Sequence, residues 1–125
     1  MSFTNVRCIT KDRNGHIWMG GNDGLWRYDG KTYTQIVDNF TGYIFEDSSG
    51  NIWTAQSSPS NTYDMDLVKH TLLPLPSREL QSATIWDRQG QVFGINEDTE
   101  GNIWFGTERG ICRYGGDSFE YFRKE

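Results

Sequence analysis

The chain has little of what builds disulfide scaffolds, metal centres or familiar catalytic sites. Its two cysteines, Cys8 and Cys112, sit in apolar, strand-like contexts. Both are expected to be buried thiols, since a disulfide would need their Cα atoms within about 7 Å. No Cys-x-x-Cys pair and no Cys/His cluster occurs, which removes the usual zinc spacings. Histidine is limited to His16 and His70. Neither has an acid and a nucleophile at catalytic spacing. No glycine-rich phosphate loop, metal pair or nucleophile motif is present, so no cofactor, metal site or catalytic residue is expected. Positive charge is also short, with 12 Lys and Arg against 17 Asp and Glu and a net charge of −5. That balance argues against a nucleic-acid partner, because phosphate binding needs a positive field. No apolar run approaches the roughly 20 residues of a membrane-spanning helix. The start, Met1-Ser2-Phe3-Thr4-Asn5, has no basic stretch followed by an apolar one, so no signal peptide is expected.

What the chain has in quantity is glycine, with 14 residues, and aromatics: five Trp, six Tyr and seven Phe. This is the composition of short strands joined by tight turns. At 125 residues the chain fits one domain with a real core. Its clearest pattern is a threefold string: Gly15-His16-Ile17-Trp18, Gly50-Asn51-Ile52-Trp53 and Gly101-Asn102-Ile103-Trp104. An aspartate precedes each glycine by three residues: Asp12, Asp47 and Asp98. Three in-register copies mark a tandem array.

Each unit reads as four antiparallel strands. In the first, Val6 to Thr10 leads into the Asp-x-x-Gly turn, where aspartate bonds local backbone and glycine supplies a positive φ. A strand from His16 to Met19 follows, then a loop from Gly20 to Gly24, a strand from Leu25 to Tyr28, and an Asp29-Gly30 hairpin signal into an aromatic fourth strand. Four such strands in tandem describe a β-propeller blade. The expected fold is an all-β, single propeller-type domain over 1–125. Its blades are placed at about 6–37, 41–73 and 92–122. The middle unit departs: Ala55 stands where the others have glycine, and its last strands are read at about Tyr63–Asp66 and Lys69–Leu73. An extra segment, 74–90, is read as an extended hairpin or loop.

The strings Asp-x-x-Gly-Asn-Ile-Trp-x-Gly-Thr and Gly-Ile/Leu-x-Arg-Tyr-x-Gly resemble the two-component regulator propeller repeat. The match is nearly complete over Asp98–Phe119, strong over Asp12–Tyr33 and partial over Asp47–Trp53. The resemblance implies a propeller of the kind found in sensor regions of bacterial regulators, a periplasmic or cell-envelope setting, and recognition of carbohydrate fragments.

Known propellers close with about four to eight blades. Three units leave two open ends. Self-association is therefore expected, with a homodimer giving six blades favoured, and a fragment of a longer propeller as the other reading. The repeated tryptophans are read as packing between blades, and Arg27 and Arg113, at one repeat position, as structural. Recognition is placed on the face carrying the second-to-third loops and the links between units, because these vary while the Asp-x-x-Gly turns do not. The candidate ligand contacts there are Asn22, Asp23, Asn61, Trp86, Arg88, Glu108 and Arg109. The function read from the sequence is a non-enzymatic binding or interaction module, with a carbohydrate or peptide ligand. The alternatives are a streptogramin-lyase-like propeller enzyme, needing histidine and acids at the channel, and a self-assembling scaffold without ligand.

Overall fold

The computed structural model describes residues 2–59, 63–74, 76–77 and 79–122. Among them are twelve strands and no helix, in three four-stranded antiparallel sheets. The first sheet runs β1 (Val6–Lys11), β2 (Ile17–Gly21), β3 (Gly24–Tyr28) and β4 (Tyr33–Val37). The second is β5 (Thr41–Glu46), β6 (Ile52–Ser57), β7 (Met65–Leu72) and β8 (Leu80–Trp86). The third is β9 (Val92–Glu97), β10 (Ile103–Thr107), β11 (Gly110–Gly115) and β12 (Ser118–Phe122). In each sheet, neighbours in sequence are neighbours in space, so every connection is a hairpin and the sheets are propeller blades.

The aspartate of each Asp-x-x-Gly turn does more than shape the turn. One Oδ of Asp47 accepts from the amides of Ser49 and Asn51, and the other accepts from the Trp53 indole Nε1 at 2.8 Å. Asp12 holds Trp18 and Asp98 holds Trp104 in the same way, each at 2.8 Å. The turn glycines Gly15, Gly50 and Gly101 have φ of 83°, 88° and 87°, a conformation costly for other residues. A cation covers each indole from the neighbouring strand: Arg27 over Trp18, Lys69 over Trp53 and Arg113 over Trp104. Arg27 and Arg113 thus pack within their own sheets.

The indoles of Trp18 and Trp53 face the next sheet. Trp18 and Leu25 meet Ile44 and Ile52 of the second sheet, with Cys8, Ile36 and Leu80 around them. Trp53, Ala55, Leu67 and Trp86 of the second sheet meet Ile95, Ile103, Phe105 and Cys112 of the third. The free thiols of Cys8 and Cys112 belong to these two cores, and burial pushes each up to about 11. At the rim, the Arg13 amide donates to the Glu46 carboxylate, and the Ser48 amide and hydroxyl donate to Glu97.

The middle sheet corrects the sequence reading. Strands at 63–66 and 69–73 do not form; a single strand, β7, spans Met65–Leu72. The segment 74–90, expected as an addition, supplies the fourth strand, β8, so the second sheet reaches Trp86 rather than 73. The physical reason is position. With neighbours on both faces, β7 buries Leu67, Val68 and His70 alike and loses the alternation that marks a strand. The turn from β7 to β8 is closed by the Leu73 amide donating to the Glu79 carbonyl. In the first sheet the loop between β2 and β3 is also tighter than expected: Gly21 pairs with Gly24, leaving only Asn22 and Asp23 at its tip.

Two pairs of substitutions test this account. Asp47→Ala strands a buried indole donor and turn amides and should cost about 3 kcal/mol in urea unfolding. Asp98→Ala, whose partner Trp104 is only half-buried, should lower the midpoint less. A Cβ on Gly20 would lie 2.9 Å from Thr41 Cγ2 and 3.0 Å from its carbonyl oxygen, on β5 of the next sheet. Gly20→Ala should therefore cost about 1–3 kcal/mol by overpacking. At the equivalent Gly106 the nearest atom is Phe93 Cβ at 3.8 Å. Gly106→Ala, with no such clash inside its own chain, should cost the folded chain less than Gly20→Ala.

Candidate functional site

The order of strands puts the β2–β3, β6–β7 and β10–β11 loops at one end of the sheets, together with the links between sheets. At this end a cleft of ≈ 390 Å³ opens between the second and third sheets. One wall is the link from β8 to β9, with Arg88, Gln89 and Gly90. This link is pinned to the β6–β7 loop: the Gly90 amide donates to Asp64 Oδ1, and the Met65 amide donates to the Gly90 carbonyl. The Gln91 side-chain amide adds a bond to the Tyr63 carbonyl at 2.6 Å. The other wall is the β10–β11 turn, with Glu108 and Arg109, where the Arg109 amide donates to the Thr107 hydroxyl. Tyr121 of β12 provides aromatic surface, while the ring of the adjacent Phe122 stacks on Trp104 on the opposite face of the sheet.

Trp86 lies at the inner edge of the cleft, 5% exposed, its ring edge-on to Phe105 at 5.4 Å. Its Nε1 is a buried donor with no partner among the described residues. Such a group is costly to leave unmade, so it marks a place where a bound acceptor would gain. Arg88 lies over the Tyr121 ring at 6.0 Å. The cleft therefore combines two guanidinium groups, two carboxylates and aromatic surface, with an unpaired indole donor buried behind its inner edge. This mixture suits a polar ligand with one apolar face.

Four of the residues chosen from the sequence, Trp86, Arg88, Glu108 and Arg109, come together here. Asn22 and Asp23 do not. They sit on the β2–β3 tip of the first sheet, where the Asp23 carboxylate accepts from the Thr4 amide and its carbonyl accepts from the Trp26 indole. Asn61 lies outside the described residues. Sequence reasoning missed Tyr63, Asp64, Tyr121 and Phe122. The β6–β7 loop was singled out only as far as residue 61. The β12 aromatics read as ordinary strand residues, and only the register across β11 turns Tyr121 toward the second sheet.

The two histidines lie in different surroundings. His70 is fully buried, with Nε2 3.0 Å from the Thr54 hydroxyl and Nδ1 2.6 Å from that of Ser82. Burial holds it down to about 4, so the ring is neutral at pH 7. His16 stands at the first Asp-x-x-Gly turn, 3.7 Å from Asp12. The two do not share a site. Beside the cleft, Asp66 is raised by its burial and by the nearby charges of Asp87 and Asp64. Among the described residues no group of three or more His, Cys, Asp and Glu side chains is placed to hold a metal ion. Among the same residues, no helix is long and apolar enough to cross a membrane.

The family model described as two component regulator propeller matches residues 1–23 and 87–109. These ranges cover β1 and β2 of the first sheet and, in the third, β9, β10 and the link before them. No curated protein matches the chain.

His70 gives the fold a pH signature. The unfolded chain takes a proton as pH falls through 6.5, whereas the folded chain resists until about 4. Stability should fall across that window, by at most about 1.4 kcal/mol per pH unit. Asp98, held down to about 2 by its bond from Trp104, contributes stability that is lost only below the ordinary carboxylate value of 3.8. Urea midpoints measured from pH 7 to pH 4 should therefore decline in the wild type. They should stay nearly flat in His70→Gln.

Proposed function

We propose that this chain, a propeller module of the two component regulator type, is a non-enzymatic recognition module that takes a carbohydrate at the cleft between its second and third sheets. The observation that supports this reading is the pairing of the unpartnered Trp86 donor with Arg88, Glu108 and Arg109 around aromatic surface. A sugar ring has apolar C–H faces that stack on Tyr121. Its hydroxyls are both donors and acceptors, matching carboxylates and guanidinium groups in one small space. An extended peptide is the second ligand to consider, because β8 and β12, which border the cleft, are edge strands of their sheets. In the same reading, two copies of the chain form a homodimer whose six sheets complete the ring.

Titration with neutral, amino and uronic-acid oligosaccharides, followed by calorimetry and tryptophan emission, tests the ligand. At least one class should bind and shift the emission. Arg109→Ala and Glu108→Gln should each weaken that binding about tenfold, or about 1.4 kcal/mol, with the unfolding midpoint unchanged. Absence of binding by all three classes would overturn the carbohydrate reading.

A further inference from the structure

The three sheets have one stacking direction, and the two ends of the stack are complementary. Each sheet has a tryptophan-bearing face and an opposite, isoleucine-bearing face. Within the chain, the tryptophan face of one sheet is covered by the isoleucine face of the next. The same positions differ sharply at the ends. Ile44 and Ile95 are 8% and 3% exposed, but their equivalent Ile9 is 65% exposed. Leu25 and Leu67 are both 0% exposed, but their equivalent Ile111 is 52% exposed. Gly20 is packed against Thr41 of the following sheet, while Gly106 meets no following sheet. Among the described residues, then, no sheet covers the isoleucine face of the first sheet or the tryptophan face of the third.

Resting on the six-sheet reading above, we infer that the open Trp104 and Ile111 face of one copy seats on the open Ile9, Ile17 and Met19 face of a second copy. The contact has the register that Trp18 and Leu25 use on the second sheet. The contact is heterologous, last sheet to first, and two of them close the pair. A ring of four to eight blades assembled only from three-sheet copies has six, and so two copies.

The rim charges agree. At the first internal junction the turn residue Arg13 pairs with Glu46, with Nε 3.4 Å from the carboxylate. The position of Glu46 and Glu97 is taken in the first sheet by Lys11, and that of Arg13 and Ser48 is taken in the third by Thr99, with Glu100 next to it in the turn. The acid at the receiving position becomes a cation, and the approaching turn loses the cation Arg13 and carries an acid one residue on, so Lys11 of one copy lies within reach of Glu100 of the other as an opposite charge. The outer part of the first face is already lined by Phe3, edge-on to Trp26 at 5.5 Å. The inner part, with Ile9, is the region left for the partner.

Light scattering at micromolar concentration should give twice the 14.4 kDa of one chain. Ile9→Asp and Ile111→Asp change exposed side chains, and each alone should give monomer with an unaltered far-ultraviolet spectrum. Mixed in equal amounts, they should regain dimer, because one of the two contacts then joins two intact faces. A wild-type monomer overturns both the six-sheet reading and this inference. A wild-type dimer with no recovery in the mixture overturns the inference and leaves the reading. A growing polymer overturns ring closure. Should an aspartate variant fail to fold, Lys11→Glu and Glu100→Lys take its place. Each should weaken the dimer about threefold and the double variant should restore it, as expected for a rim pair. A double variant weaker than either single one overturns the inference.

Discussion

The hydrogen bond from each repeated tryptophan to the aspartate six residues before it is the constraint on which the rest of the structure depends. An indole ring at the start of a strand could adopt several rotamers. With Nε1 fixed to a carboxylate that is itself fixed to its own turn, the ring has one position. That position lays its face outward from the sheet, under a cation from the neighbouring strand, and makes it the surface on which the next sheet rests. Turn, strand and sheet-to-sheet packing are thus a single interlocked unit. The carboxylate gains from this as well. Burial raises Asp47, but the donors from Trp53 and Asn51 outweigh it and hold it below the usual range.

The repeat string, the four-strand unit and the propeller class were legible because they rest on local chemistry: a glycine with positive φ, an aspartate beside it, and strands bounded by turns. The bond joining aspartate to tryptophan was not, although both residues were conspicuous. It depends on where a turn directs a side chain six residues away. The middle sheet misled for a different reason. Pattern reading looks for one buried and one exposed face, and β7, between two other sheets, has none exposed over most of its length. Pro74 and Pro76 then looked like the end of a unit, when they lie in the turn before its last strand.

The candidate site was legible to the extent that it follows topology. Knowing which loops share an end was enough to select Trp86, Arg88, Glu108 and Arg109. It could not separate them from Asn22 and Asp23, which share that end but belong to the first sheet, away from the cleft. Nor could it find the Tyr121 surface, which depends on the register between β11 and β12. The idle donor on Trp86 was beyond sequence altogether, since it is defined by what does not surround it.

The rim contacts give each junction its own chemistry, and this limits how such a chain can lengthen. A tandem copy of β5–β8 would place the Ser48 turn beside a second Glu46, which can accept its amide and hydroxyl as Glu97 does. A tandem copy of β1–β4 would place Arg13 beside Lys11, cation against cation. On this contact alone the middle unit can be multiplied and the first cannot, so growth by duplication is directed to the interior of the array.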